Sequence, residues 1–192
     1  MQPLIDNARL FGQRPEEFAK LAEGQSPQVL FITCSDSRVV PALITGAGPG
    51  ELFELRTAGN IVPPYASEHP TSEAATIEYA VEVLGVSDIV VCGHSHCGAV
   101  GALVRGDDLT AVPAVRDWLT QAAPRPEGAV EDPTVADGVQ SHVLTQLLRL
   151  RSYPFIEKKV TDRQLTLRAW YYEVHTGAVQ EHRAATDTFE AL

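Results

Sequence analysis

Two short, uninterrupted apolar runs, Val29-Leu30-Phe31-Ile32-Thr33 and Ile89-Val90-Val91-Cys92, constrain this chain more than any other feature. A strand with one face in water alternates apolar and polar residues. These runs do not alternate, so they read as strands covered on both faces, the habit of parallel sheets. Leu52 to Arg56 reads as a further strand, with Ala58-Gly59-Asn60 as the turn leaving it. Between strands, Glu73 to Leu84 carries Ala74, Ile77, Val81 and Leu84 at helical spacing, and Gly85 supplies the stop. A helix is expected to open at Gly98 and another to cover Thr134 to Leu150. Leu165 to Val174 is β-rich, and Thr176-Gly177 turns it into a returning strand over Ala178 to His182. Residues 2–22 are helical in pattern with a break at Gly12 to Pro15, either an arm on another subunit or a capping helix. Residues 122–133, with Pro124, Pro126, Gly128 and Pro133, read as a surface loop.

Strands that alternate with helices imply an α/β fold. The expectation is one domain over residues 1–192: a central, mainly parallel β-sheet flanked by helices, with a C-terminal antiparallel edge strand and an N-terminal helical arm. Length supports this, since 192 residues suffice for one sizeable core. Charge narrows the partners. Fifteen Lys and Arg against 25 Asp and Glu leave a net charge of -10, which disfavours nucleic acid and anionic lipid surfaces. Three cysteines fit a reducing compartment better than a disulfide framework. The first residues lack the pattern of a secretory signal, and no apolar run is of membrane-spanning length. A soluble, cytoplasmic protein is expected.

The chemistry sits where two strands end. Cys34-Ser35-Asp36-Ser37-Arg38 follows the first run, and Gly93-His94-Ser95-His96-Cys97-Gly98 follows the third strand. In an open α/β sheet, ligands bind beyond the carboxyl ends of strands at a topological switch point. If these two strands are neighbours, the motifs converge. Thiolate and imidazole are zinc ligands, and three of them leave a fourth position open, as in catalytic rather than structural sites. Cys34, His94 and Cys97 are therefore the expected zinc ligands. Were residues 94–98 helical, His94 and Cys97 would share a face. Asp36 is either a fourth ligand or an acceptor that orients a metal-bound water or hydroxide, with Arg38 pairing with it and holding it ionised. Two thiolates offset the charge of the metal, so activity is expected to rise toward alkaline pH.

Other chemistries fit poorly. A cysteine phosphatase needs arginine where Val40 stands. Ala47-Gly48-Pro49-Gly50 lacks the Gly-Lys-Ser/Thr ending of a P-loop, and no Gly-x-Ser-x-Gly elbow is present. Cys92, inside a strand, reads as core.

Taken together, Cys-Ser-Asp-Ser-Arg and Gly-His-Ser-x-Cys-Gly closely resemble the β-class carbonic anhydrases. The likeness extends through Gln25-Ser26-Pro27, Glu51-Leu52-Phe53, Ala58-Gly59-Asn60-Ile61-Val62-Pro63, Glu78-Tyr79-Ala80-Val81 and Trp170-Tyr171-Tyr172. It implies zinc on Cys34, His94 and Cys97, and an Asp36–Arg38 dyad that positions a zinc-bound hydroxide. It implies carbon dioxide and bicarbonate as substrate and product. The chain is most similar to the plant-type branch, which implies a substrate pocket of Gln25, Phe53, Tyr79 and the Gly98 amide. In that branch the pocket forms at a dimer interface with the aromatic residues supplied by the partner, so a homodimer or a dimer-based oligomer is implied. Two other readings keep the same site: hydrolysis of carbon disulfide or carbonyl sulfide, and a non-catalytic zinc module, which would have no use for the dyad. Thr57 departs from the family pattern, which commonly has asparagine there. His96 reads as a rim residue, with a proton relay as its alternative. His69, His142, His175 and His182 carry no signal beyond packing or surface roles.

Overall fold

The structure is a computed structural model describing residues 1–13, 15–122, 125, 126, 128 and 131–192. Pro124, used above to read residues 122–133 as a loop, lies outside the described residues. Six strands form one sheet: β1 (Val29–Cys34), β2 (Leu52–Thr57), β3 (Asp88–His94), β4 (Thr166–Tyr172), β5 (Val179–Arg183) and β6 (Thr188–Ala191). The helices are α1 (Gln2–Phe11), α2 (Pro15–Phe18), α3 (Pro41–Thr45), α4 (Ser72–Glu78), α5 (Gly98–Arg105), α6 (Pro113–Leu119), α7 (Ala136–Arg151) and α8 (Pro154–Thr161).

The strand order is β2-β1-β3-β4-β5-β6. β1 pairs in parallel with both β2 and β3, and β3 in parallel with β4. The chain leaves β1 toward β2 on one side and returns to place β3 on the other. The carboxyl ends of β1 and β3 therefore flank the point where the winding reverses, where departing loops separate and leave a crevice. The expected neighbourhood of the first and third strands holds. The antiparallel C-terminal part is larger than expected: β5 pairs with β4, but β6, past the expected hairpin, forms the edge. Its Thr188, Phe189, Glu190 and Ala191 alternate in character too briefly to announce a strand.

One face of the sheet carries the main core. Leu30, Ile32, Ile89, Val91, Ala169 and Tyr171 pack there against Ile77 of α4, Val100 and Val104 of α5, Val139 and Val143 of α7, and Ile156 of α8. On the other face Phe31, Val90 and Cys92 are buried beneath Val29, Trp170 and Tyr172, all strand residues. The uninterrupted apolar runs of β1 and β3 are thus explained, with large aromatic side chains closing the second face. Phe31 and Trp170 meet edge-to-face with ring centroids 5.8 Å apart. α7 comes very close to β3 because residue 93 is glycine. A Cβ there would lie 2.5 Å from Val139 Cγ1 and 2.6 Å from Val143 Cγ2.

The helix expected over Glu73 to Leu84 is regular only to Glu78 and then widens into a π turn over Tyr79–Val83, where the Leu84 amide donates to Tyr79 O. Gly85, at φ +69°, ends it as expected. α3, α6 and α8 carried too few periodic residues to stand out, and each begins at a proline, which suits a first helical turn. α1 has no buried residue; Leu4, Leu10 and Phe11 are all more than half exposed. Among the described residues, no helix is long and apolar enough to cross a membrane.

Candidate active site

β1 ends at Cys34 and β3 at His94, side by side in the sheet. Cys97 reaches the same point by a route other than the expected helical face. The chain turns sharply after His94, with His96 at φ +57°, and α5 begins only at Gly98. Cys97 is the residue that caps α5, and the Ala99 and Val100 amides at the start of that helix favour its thiolate form. Free amides at a helix start stabilise a thiolate. The turn is stitched to its surroundings: Ser95 N donates to Tyr172 O at 2.9 Å, His96 N to Thr134 O at 2.8 Å, and Val174 N to Ser95 Oγ at 2.9 Å.

The result is one compact donor set. The Cys34 and Cys97 sulfurs and a His94 ring nitrogen lie within 4.8 Å of one another, and all three residues are buried. His94 Nδ1 donates to Ser95 O at 2.9 Å, which leaves Nε2 as the lone-pair nitrogen. That Nε2 is buried and has no hydrogen-bond partner among the described residues. Two sulfurs and an unpartnered imidazole nitrogen fit zinc in ligand type, and three ligands leave one position for a reactant. The thiols are coupled. The Cys97 hydrogen bond, more than any other influence, favours the thiolate at Cys34, and the resulting charge together with burial holds the Cys97 proton in place. Two thiols that share a proton in this way are poised to lose it to a cation.

Asp36 stands beside the cluster, its Oδ2 3.9 Å from His94 Nε2. Arg38 grips it twice, Nε to Oδ1 at 2.9 Å and Nη2 to Oδ2 at 2.7 Å, and the Arg38 backbone amide adds a third bond at 2.9 Å. The Arg38 side chain is the main reason the Asp36 carboxyl is held well below the usual carboxylate range. Arg38 also donates to His96 O at 3.1 Å and so ties the two motifs together.

Two further residues, passed over in the sequence reading, build this region. Arg56, near the end of β2, donates to the backbone carbonyls of Cys34, Asp36 and Val39, and clamps the loop that carries Asp36. Its signal was a cationic residue one position before the end of a strand adjoining the motif. Gly59, at φ +74°, donates its amide to Cys34 Sγ at 3.4 Å. Thr57 is buried and donates from Oγ1 to Ile61 O, a bond that closes the start of the same loop. His96 is half-buried with its ring 6.0 Å from that of His175, at the rim.

The remaining residues of the expected pocket lie elsewhere in this chain. Gly98 adjoins the cluster and is exposed. Phe53 pairs with Leu30 at the other end of β1, four residues before Thr57, the partner of Cys34. At about 3.3 Å per residue that is a separation of about 13 Å. Tyr79, 44% exposed, packs on Phe53 with ring centroids 6.0 Å apart. Gln25 precedes the start of β1 and is exposed. The structure therefore brings together Cys34, His94, Cys97, Asp36, Arg38 and Gly98, and places Gln25, Phe53 and Tyr79 at the opposite end of the strands.

Comparison with known proteins agrees with this geometry. A family model described as carbonic anhydrase matches residues 29–179. A carbonic anhydrase of Pseudomonas aeruginosa is 44% identical over 203 residues, covering 100% of this chain and 92% of that protein. One from Synechococcus elongatus is 40% identical, covering 97% of this chain and 74% of that protein. Among solved structures, the β-carbonic anhydrase CcaA superposes with a TM-score of 0.90 at 38% identity, covering 100% of this chain and 99% of that one. A tetrameric β-carbonic anhydrase of Sordaria macrospora gives 0.77 at 29% identity, covering 94% of each chain. With a family model matched over residues 29–179, relatives of 40% identity or more and a shared fold, the chain belongs to the β-carbonic anhydrase family of lyases.

Proposed function

We propose that this chain is a zinc-dependent enzyme that reversibly hydrates carbon dioxide to bicarbonate and a proton. The observation that carries the reading is the closeness of two sulfurs and an imidazole nitrogen to a carboxylate locked by arginine. Cys34, His94 and Cys97 would hold the metal, which would supply a nucleophile by acidifying a water molecule, less strongly than a metal held by neutral ligands would.

The protein's own groups do the rest. Asp36 stays ionised because Arg38 holds both its oxygens, so it offers a permanent acceptor beside the donor set. An acceptor of fixed charge and direction orients the attacking O–H and leaves a lone pair facing the carbon of the substrate. It can only accept, which selects a protonated oxygen over a bare one. The exposed Gly98 amide, at the start of α5, faces a substrate oxygen in this reading.

The pocket is completed by a second copy. Gln25, Phe53 and Tyr79 lie too far from their own cluster to line it, and two-fold pairing would set them against the cluster of the partner. The exposed apolar residues of α1 support an arm that packs on that partner. The tetrameric relative in Sordaria macrospora supports assembly in the same direction. Three free cysteines, two of them in the cluster, support a reducing, cytoplasmic setting.

Stopped-flow hydration of carbon dioxide on zinc-loaded protein tests the proposal. Activity is expected to climb from pH 6 toward pH 9, because two thiolates offset the metal charge. Zinc-replete protein without hydration at pH 8.5 overturns the reading, and a flat profile overturns the account of the two thiolates.

A further inference from the structure

The loop from Ala58 to Pro63 is held by side chains from α6 and α7. His142 Nε2 donates to Gly59 O at 2.7 Å, Gln146 Oε1 accepts from Val62 N at 2.9 Å, and Arg149 Nη1 donates to Val62 O at 3.1 Å. Tyr153, in the turn after α7, donates to Pro63 O at 2.7 Å. Positions 142, 146, 149 and 153 follow the spacing of one helical face. This polar stripe adjoins the apolar one through which Val139 and Val143 meet the sheet at Gly93. From α6, Trp118 Nε1 donates to Ala58 O at 2.8 Å.

Ala58 O and Gly59 N belong to one peptide group. Its carbonyl receives the Trp118 indole N–H, and its amide N–H points at the Cys34 sulfur. The next carbonyl, Gly59 O, belongs to the Gly59–Asn60 peptide and receives His142, which fixes where Gly59 stands, whereas Trp118 polarises the group that carries the Gly59 N–H. A peptide polarised at its oxygen becomes a stronger donor at its nitrogen. His142 is 1% exposed, and burial pushes its ring down to about 4, so it is neutral near pH 7 and its Nε2 proton is the donor. The charged groups that act on it are Arg149 and Cys34.

We propose that Trp118, by polarising the Ala58–Gly59 peptide, and His142, by anchoring Gly59 in place, are positioning residues that act through the Gly59 amide to set the electron density on the Cys34 sulfur, and through it the hold on the metal. The inference rests on the zinc reading above. An N–H donor draws density from a thiolate and lets it bind as an anion at lower cost. Groups that hydrogen-bond the ligands, as the Gly59 amide does here, typically govern metal affinity by about 10–100-fold.

Two variants test this with zinc and cobalt(II) as probes. Trp118→Phe removes one N–H while keeping a ring against Ile61 and Leu119. His142→Ala removes the other donor, and His142→Gln returns an amide N–H where Nε2 stood. Zinc affinity is read by competition with a chelator, and sulfur-to-cobalt charge transfer by absorption. We expect Trp118→Phe and His142→Ala to bind zinc about 10–100-fold more weakly and to move the charge-transfer band to longer wavelength. His142→Gln is expected to restore both. If His142→Ala does not fold, Trp118→Phe and His142→Gln still decide the matter. A normal band in the unsubstituted chain, with band and affinity unchanged in Trp118→Phe, overturns the inference alone. Absence of any sulfur-to-cobalt band in the unsubstituted chain overturns the zinc reading and the inference with it.

Discussion

The two ends of the central strands differ in how finished they are. At the carboxyl end, Cys34, His94 and Cys97 are buried within one chain, and Arg38, Arg56 and the Gly59 amide fix the groups around them. At the amino end, Gln25 and Tyr79 are exposed, and Phe53 is covered mainly by Tyr79 and the core beneath it. A single chain thus gathers a donor set that could hold a metal, while on the proposed reading its substrate pocket needs a second copy.

The sharpest way to break that contrast is at the cluster. Cys34→Ser is expected to lose stoichiometric zinc and all hydration above the buffer background, by metal analysis and stopped-flow on the same sample. Retained zinc would remove Cys34 from the ligand set. Asp36→Asn is expected to keep zinc and lose about 10²-fold in kcat, the scale of a positioned proton-handling group. Equal loss of metal and rate would make Asp36 a ligand instead.

Phe53→Ala and Tyr79→Ala probe the other end. Each is expected to leave zinc content unchanged and to lower kcat/KM on the order of 10-fold, as for a lost pocket contact. Mixing Cys34→Ser chains with Phe53→Ala chains is expected to regain activity, because a mixed pair carries one intact cluster facing one intact aromatic pair. Absence of recovery, with subunit exchange demonstrated, would return the pocket to a single chain.

A separate effect is on stability. Burial holds folded His142 at about 4, below its ordinary 6.5, so the unfolded chain binds a proton that the folded chain refuses. Stability therefore rises with pH across this window and falls as pH drops from about 6.5 toward 4, by about 3 kcal/mol at its low end. Urea unfolding at pH 7 and at pH 4.5 measures the fall. His142→Gln, which cannot take up a proton, is expected to flatten it.

Much of this was legible in the chain, for reasons particular to each element. β1 and β3 announced themselves because burial on both faces removes alternation. The residues of the Cys34–His94–Cys97 cluster did so because they follow closely on those runs. The route by which Cys97 joins His94 was not legible, since a left-handed residue at His96 carries no compositional mark of the kind glycine leaves. His142 was passed over because its partner is a backbone carbonyl, which no sequence pattern displays. The distance of Phe53 and Tyr79 from the cluster follows from register, visible only once β1 and β2 are paired.

Gly93 has a consequence beyond packing. The absent methyl sets the clearance between α7 and the sheet, and a Cβ would collide with two valines at once. The same helix carries the hand that holds the Gly59 peptide. The gap at Gly93 works as a spacer gauge, its thickness setting how far α7 stands off and so where His142 meets the Gly59 carbonyl. Gly93→Ala is expected to lengthen that reach without changing a donor atom, so on the proposed reading the tuning of the site lies in the thickness of a layer as well as in its donors.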